Sequence, residues 1–218
     1  MITQDKFTKP DRIVTIAVDM QKDFCPGGAL GVTDGDAVIP PLNNVLHYTR
    51  QENGLVLATR DWHPEVTPHF EPYGGVWKTH CVQNTEGAEF HPDLDIDEAT
   101  VIINKGMGQT DGYSGYEGAS ANGKTIAEIV TPTNRYERVA IAIGGLATDY
   151  CDLNTILDAA KHAREIQKAM QGVIDIYALT DAMRAVNIHP GDESAALEQM
   201  RDAGAHLVTT AQFMEATR

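Results

Sequence analysis

The chain has few basic residues, and no stretch of it is apolar for long. It carries 17 Lys and Arg against 31 Asp and Glu, which gives a formal net charge of −14 over 218 residues. Nucleic acid and anionic membrane surfaces are therefore not expected as partners, because a surface of this sign repels polyanions. A membrane-spanning helix needs about 20 consecutive apolar residues, and no run in the sequence approaches that length.

Cysteine is also scarce, and its spacing is irregular. Cys25, Cys81 and Cys151 are odd in number and form no CxxC pair, so neither a disulfide framework nor a cysteine zinc site is indicated. Residues 1–10 are polar and lack the apolar core of a signal peptide. The length suits one domain with a sizeable core. We therefore expect a cytoplasmic protein with a single domain over residues 1–218.

Short apolar runs alternate with segments of helical periodicity along the chain. Nearly continuous apolar strands separated by helices are typical of a parallel sheet that is covered on both faces. We therefore predict an α/β fold, a doubly wound six-stranded parallel sheet flanked by helices, with ligands bound at the carboxyl ends of the strands. The predicted strands are 13–18, 55–59, 100–103, 139–143, 173–179 and 206–208, and the predicted helices are 36–53, 124–130, 148–170 and 192–203.

Cys151 follows the apolar run 139–143 at the point where a helical pattern begins. On the first turn of a helix, unpaired backbone N–H groups and the helix dipole favour a thiolate. The same N–H groups can hold a developing oxyanion. A thiol at a strand–helix junction is, however, more often a packing residue. The interpretation of Cys151 as a nucleophile therefore depends on the rest of the chain.

Asp19 and Lys105 also follow predicted strands, the first and the third. Because the carboxyl ends of parallel strands meet at one edge of the sheet, Asp19, Lys105 and Cys151 can converge. A carboxylate beside a thiol can act as a general base, and a lysine between them can keep the carboxylate ionised. The alternative is a solvated salt bridge at the sheet edge, but the coincidence of all three residues favours catalysis.

A second group of polar residues begins at the end of the second predicted strand. Asp61 and His63 are two residues apart, so an extended backbone places both side chains on one face. His69 and His80 follow in the same long irregular stretch, residues 61–98. One carboxylate with two or three imidazoles suits zinc, iron or manganese. The spacing therefore predicts a metal site, although an Asp-x-His pair alone is a weak signal.

Four aromatic residues lie in or beside the segments that carry these polar groups. Phe24, Trp77, Tyr113 and Tyr116 are predicted to form the walls of a small pocket. Each of them, taken singly, is more often an ordinary packing residue.

The polar motifs occur in one order along the chain, and as a set they resemble a known family. They are residues 18–24, 27–30, 59–64, 80–89, 91–92, 105–106, 113–115 and 145–151. The ordered set resembles the nicotinamidase branch of the isochorismatase-like cysteine hydrolases. That resemblance implies a Rossmann-like three-layer sandwich. It also implies hydrolysis of nicotinamide to nicotinate and ammonia in NAD salvage, with pyrazinamide as a further substrate.

The resemblance also implies a role for each residue of the sheet edge. Asp19 matches the family's proton acceptor, Lys105 the residue that orients it, and Cys151 the nucleophile that forms a thioester acyl-enzyme. The N–H groups of Ala147 and Cys151 match the oxyanion hole, and a cis peptide is expected between residues 146 and 147.

In the family, the metal site binds one divalent ion and contacts the pyridine nitrogen. Asp61, His63 and His80 match its ligands, and His69 matches a fourth ligand found in some members. Zinc is the first expectation, with iron or manganese as alternatives.

Phe24, Trp77 and Tyr113 match the residues that hold the substrate ring in the family. Asp152 departs from the family pattern, which usually has an apolar residue there, and we expect this acid to raise the pKa of the adjacent thiol.

Two other functions stay open at this point. A related cysteine amidohydrolase would act on another small amide or ureide, but such relatives generally lack the Asp-x-His motif. A non-catalytic binding protein would be expected to lose one of Asp19, Lys105 and Cys151, and all three are present. The expected partner is a small-molecule substrate, and a homo-oligomer is left open.

Overall fold

A mostly parallel sheet runs through the centre of the fold in a computed structural model that describes residues 9–108 and 111–218. Residues 1–8, part of the polar N-terminal segment and of the predicted domain, lie outside the described residues, as do residues 109–110. The described strands are β1 (Arg12–Val18), β2 (Leu55–Asp61), β3 (Val101–Lys105), β4 (Ala119–Ser120), β5 (Arg138–Leu146), β6 (Val173–Arg184) and β7 (His206–Val208). They are ordered β4-β3-β2-β1-β5-β6-β7.

The six predicted strands are confirmed as β1, β2, β3, β5, β6 and β7, and all of these pair in parallel. The predicted total of six is wrong by one, because β4 adds a short antiparallel edge strand against β3. Two residues are too few to show an alternating pattern, so β4 could not be predicted from periodicity.

Helices cover both faces of the sheet, as predicted. They are α1 (Ile39–Gln51), α2 (Ile126–Val130), α3 (Leu153–Lys168), α4 (Asp192–Asp202) and α5 (Thr210–Ala216). A 3₁₀ turn, Gly35–Val38, precedes α1, and a π-helical turn, Thr148–Asp152, precedes α3. Pro40 and Pro41 lie in the first turn of α1, where a missing N–H breaks no helical hydrogen bond. The last helix, α5, was not predicted.

Two apolar cores lie on opposite faces of the sheet. Along β1, Ile13 and Ala17 pack into the core beneath α1, whereas Val14 and Ile16 pack into the core beneath α3. This alternation explains why the strand is apolar at nearly every position. Within the described residues, no helix is long and apolar enough to cross a membrane.

The order of the strands reverses between β1 and β5. In doubly wound sheets, ligands bind at such a switch point, outside the carboxyl ends of the strands. Asp19 follows β1, and Cys151 lies in the turn after β5. Lys105 ends β3 and pairs in register with Asp61 at the end of β2.

Candidate active site

Four buried polar side chains meet at the carboxyl edge of the sheet. Lys105 Nζ lies 2.8 Å from Asp19 Oδ2, 2.5 Å from Asp61 Oδ1 and 3.4 Å from Cys151 Sγ. Asp19, Asp61, Lys105 and Cys151 are all buried. The convergence of Asp19, Lys105 and Cys151 that strand topology predicted is therefore present.

Asp19 is held through both of its carboxylate oxygens. Thr59 Oγ1 donates a 2.7 Å hydrogen bond to Asp19 Oδ1, and Oδ2 faces Lys105. The backbone of Asp19 has a φ of 48°, and its N–H donates to Thr59 O over 3.2 Å. Thr59 thus holds the carboxylate at the oxygen that does not contact Lys105. Sequence reasoning placed Thr59 in a motif but assigned it no role.

Charge in this cluster is carried by Lys105 and the carboxylates. Burial lowers the pKa of Lys105, but Asp19 and Asp61 raise it, and the net pKa is well above the ordinary value. Lys105 is therefore an ammonium ion. Burial raises the pKa of Asp19, which Lys105 lowers and Asp61 raises, and the net shift is upward. A carboxylate with a raised pKa is a stronger base than a solvated one.

Cys151 lies in the π-helical turn between β5 and α3. Burial raises the pKa of its thiol, Lys105 lowers it, and Asp19 and Asp61 raise it, so that the net pKa is well above the ordinary value. The thiol form is therefore favoured over the thiolate. The local contribution of the helix terminus to the ionisation of Cys151 stays a prediction.

Asp152 directly follows Cys151 in the chain. Its side chain is buried, and neither carboxylate oxygen has a hydrogen-bond partner in the part of the chain that the structure describes. Burial, with Asp19 and Asp149 nearby, raises the pKa of Asp152 well above the ordinary value. The carboxyl group therefore keeps its proton to higher pH than a solvated aspartate does. The effect of Asp152 on the pKa of the adjacent thiol stays a prediction.

Asp61, His63 and His80 form a donor cluster beside Lys105. Asp61 Oδ2 lies 3.5 Å from His63 Nε2 and 3.9 Å from His80 Nε2. His63 Nδ1 is 2.8 Å from Gly106 O, and His80 Nδ1 is 2.6 Å from Lys78 O. Carbonyl oxygens accept hydrogen bonds, so each Nδ1 donates to its carbonyl, and each Nε2 is left facing Asp61, where it is available as a ligand atom.

This donor set fits a divalent transition metal. One ligand atom from each of Asp61, His63 and His80 lies within 4.8 Å of the others. Burial lowers the pKa of His80, which keeps that imidazole neutral. A carboxylate and two imidazoles are ligands that zinc, iron and manganese accept.

Gly106 is required beside the donor cluster. Its φ is +67°, and a Cβ there would lie 2.5 Å from His63 Cε1. Only glycine lets the backbone carbonyl come close enough to orient the His63 ring.

His69 lies next to the cluster but not within it. Its Nε2 is 3.2 Å from His63 Nδ1, and its Nδ1 is 3.3 Å from Asp111 Oδ1. A role for His69 as a direct ligand stays a prediction.

Asp61 belongs both to the donor cluster and to the contacts of Lys105. Burial raises the pKa of Asp61, but Lys105 and His63 lower it, and the net pKa is below the ordinary value. Gln21 holds the backbone of Asp61 from both sides, because Nε2 donates to Asp61 O and Oε1 accepts from Asp61 N, each over 2.8 Å. Gln21 is fully buried and was missed by sequence reasoning.

An apolar cavity opens above Cys151 and the donor cluster. Trp77 Nε1 donates a 2.9 Å hydrogen bond to Tyr113 Oη, and burial raises the pKa of Tyr113 to about 12. The Tyr150 ring packs 5.1 Å from Trp77 and 5.7 Å from Tyr113. The lining residues include Phe24, Leu30, Val32, Trp77, Tyr113, Leu146, Ala147, Tyr150, Cys151 and Val186.

Three of the four predicted aromatic wall residues therefore line the cavity, and Tyr116 does not. The centroid of the Tyr116 ring lies 6.1 Å from that of the His162 ring, outside the cavity. Sequence reasoning missed Tyr150 and Val186 as lining residues. The expected cis peptide is present between Leu146 and Ala147. The role of the Ala147 and Cys151 N–H groups as an oxyanion hole stays a prediction.

Comparisons with known proteins agree with this geometry. The isochorismatase domain model matches residues 14–212. The nicotinamidase/pyrazinamidase of Mycobacterium tuberculosis is 35% identical over 196 residues, covering 88% of this chain and 96% of the relative.

Two solved structures are similar over nearly their whole length. The pyrazinamidase of Pyrococcus horikoshii in complex with zinc has a TM-score of 0.75 and 39% identity, covering 91% of this chain and 99% of its own. The PnC1 protein of L. infantum in complex with nicotinate has a TM-score of 0.73 and 29% identity, covering 94% and 96%.

Proposed function

Because this chain belongs to the isochorismatase family, we propose that it is an amidohydrolase that converts nicotinamide to nicotinate and ammonia. Pyrazinamide is a second substrate, which would give pyrazinoate, and the reaction supplies nicotinate for NAD salvage. One observation carries the proposal: a buried Cys151, with Lys105 and Asp19 beside it, lies under an aromatic cavity next to an Asp-His-His donor cluster.

Asp19 is the base that activates Cys151. A hydrogen bond joins the Cys151 thiol to the Asp19 side chain, so the proton can move to the carboxylate as sulfur attacks the amide carbon. The carbonyl oxygen then carries the negative charge, next to the N–H groups of Ala147 and Cys151. When this intermediate collapses, the carbon–nitrogen bond breaks and Asp19 returns its proton to nitrogen. Ammonia leaves, and a thioester on Cys151 remains.

Water completes the reaction through the same residues. Asp19 takes a proton from the water molecule that attacks the thioester, and the carbon–sulfur bond then breaks. Cys151 recovers a proton, and the carboxylic acid product is released as nicotinate. Lys105 remains an ammonium ion throughout, because two buried carboxylates hold its proton. Its charge keeps Asp19 ionised between the two half-reactions.

Asp61, His63 and His80 would hold one divalent metal ion, with His69 as a proposed fourth ligand. Zinc is the first candidate for this ion, and iron and manganese are alternatives. When bound, the ion supplies a Lewis acid for the pyridine nitrogen, directly or through water. The chain's own residues orient the ring: Phe24, Trp77 and Tyr113 line the cavity between the donor cluster and Cys151.

Ammonia release from nicotinamide, measured with zinc-loaded protein, tests the proposal. Cys151→Ala is expected to abolish release, whereas the matched variant Cys25→Ala should retain it, because Cys25 is buried in the core outside the cavity. No release by the wild type, while Cys151 still reacts with an alkylating reagent, would refute the proposal. A panel of small amides and ureides would then test the related amidohydrolase alternative.

The cellular location and the oligomeric state both stay proposals. All three cysteines are free thiols, which suits the reducing cytoplasm expected from the sequence. A homo-oligomeric state also stays a prediction.

A further inference from the structure

The segment that follows β6 supplies one wall of the cavity. β6 ends at Arg184 and α4 begins at Asp192, so residues 185–191 form the connection between them. Val186 in this segment lines the cavity together with Tyr150 and Cys151. Its side chain is 36% exposed. Val186 thus separates the cavity from solvent without being anchored in either apolar core.

Asp149 holds this segment against the turn that carries the nucleophile. One carboxylate oxygen accepts from Val186 N and the other from Asn187 N, each over 2.9 Å. Asp149 lies in the same π-helical turn as Cys151, two residues before it. Two hydrogen bonds from consecutive N–H groups to one carboxylate fix both the position and the direction of the backbone.

The other end of the segment is held as well. Asn187 has a φ of 52°, and its Oδ1 accepts from Glu193 N over 3.0 Å in the first turn of α4. His189 N donates to Asp192 Oδ2 over 2.8 Å. Without Asp149, Arg184 would stay paired with Leu146 and Asn187 would stay bonded to α4. Val186 lies between these two points, and its N–H would lose the hydrogen bond to Asp149 that holds it toward Cys151.

We propose that Asp149 is a positioning residue that holds Val186 as a wall of the cavity, and so limits the width of the ring that reaches Cys151. This inference rests on the proposed function, since it assumes that the substrate ring occupies the cavity. Asp149 itself is not among the residues that line the cavity. It acts on the substrate only through the segment that it holds.

The test compares two reagents of different width at the nucleophile. N-methylmaleimide and N-phenylmaleimide react alike: the cysteine sulfur adds to the carbon–carbon double bond, and the neighbouring carbon takes a proton. Rates at Cys151 are followed by mass spectrometry of its peptide, which separates them from any reaction at Cys25 or Cys81. The measured quantity is the phenyl-to-methyl rate ratio, which does not require turnover of nicotinamide.

Val186→Ala is expected to raise this ratio about tenfold or more, because it removes two methyl groups and even one methylene in an apolar pocket gives about tenfold. Asp149→Ala should raise it about threefold or more, and adding it to Val186→Ala should raise the ratio little further. Asp149→Asn keeps the size of the side chain and one acceptor, so its rate ratio should fall between those of Asp149→Ala and the wild type. This variant still tests the inference if the alanine variant folds poorly.

Asp181→Ala is the matched control. The Asp181 carboxylate also accepts two hydrogen bonds, from Thr210 N and Thr210 Oγ1, each over 2.8 Å. It holds the start of α5 and does not line the cavity. Its removal should lower thermal stability but leave the rate ratio at the wild-type value.

The inference is overturned if Asp149→Ala and Asp149→Asn leave the ratio unchanged, or if Asp181→Ala raises it equally. Ammonia release from nicotinamide by the wild type is measured alongside. If the wild type releases none, the proposed function fails, while the rate ratios still decide whether Asp149 holds the wall.

Discussion

Replacing Lys105 by methionine should destabilise the protein in a way that depends on pH. Lys105 Nζ lies 2.8 Å from Asp19 Oδ2 and 2.5 Å from Asp61 Oδ1, and its side chain is fully buried. At an effective dielectric constant of about 20, each contact corresponds to about 6 kcal/mol of attraction. Desolvation of the three charges offsets most of this. Breaking a buried ion pair from one side typically lowers the free energy of unfolding by about 3–5 kcal/mol.

The sign of the pH dependence follows from the carboxylates. Lys105 lowers the pKa of both Asp19 and Asp61, so removing it raises both values in the folded variant. The unfolded chain releases these protons near pH 4, whereas the folded variant keeps them to higher pH. The stability of the variant relative to the wild type should therefore decrease as the pH rises from about 4 to about 8.

Urea unfolding of metal-free wild type and variant at about pH 5 and about pH 8 measures this difference. Lys22→Met is the matched control. Lys22 also contacts two carboxylates, those of Glu86 at 3.2 Å and Glu89 at 2.8 Å, but its side chain is 31% exposed. Its loss should cost far less than the loss of Lys105, because solvent screens exposed ion pairs. A Lys105→Met loss as small as that of Lys22→Met, or one that does not grow with pH, would refute the account of Lys105 as a buried counter-ion.

Two further predictions concern the donor cluster and the buried side chain of Asp152. His63→Ala should lose the bound metal but keep its cooperative unfolding, because a core of this size does not need a metal. Elemental analysis after dialysis measures the metal, and unchanged metal content would contradict the ligand assignment. Burial raises the pKa of Asp152 in the folded state, so the wild type should lose stability with rising pH, and Asp152→Asn should gain stability relative to it from about pH 5 to about pH 8. Thermal unfolding at both values checks this, and a difference that does not change with pH would mean that the pKa of Asp152 is not raised by folding.

The strands and the sheet edge could be predicted because their signals are local or topological. An apolar run such as that of β1 is visible in the sequence, and parallel order then brings Asp19, Lys105 and Cys151 to one edge without knowledge of any contact. The last helix, α5, had a local signal that was overlooked. Thr209 and Gln212 form a capping box at its start, but seven residues give too few apolar positions for a periodic pattern.

The remaining parts of the site depend on distances that no spacing reveals. Val186 reaches the cavity because a connection after β6 is held by Asp149, whose sequence position gives no hint of that partner. Gln21 lies within a motif that sequence reasoning quoted, but its partners are backbone groups of Asp61 on another strand. The ionisation of Cys151 could not be predicted either, since the burial that raises the pKa of its thiol exists only once the fold surrounds it.

The position of Asp61 is a reason to favour a ring amide over a flexible ureide as the substrate. One of its oxygens contacts Lys105, and the other faces His63 and His80. Gln21 holds the backbone of Asp61, and these side-chain contacts hold its carboxylate. The pairing of β2 with β3 therefore sets the spacing of Asp61 and Lys105, and Lys105 Nζ in turn lies 3.4 Å from Cys151 Sγ. The substrate has to reach both the donor cluster and Cys151. Its binding is most favourable when a planar ring already holds its two interacting groups at the separation of these two sites.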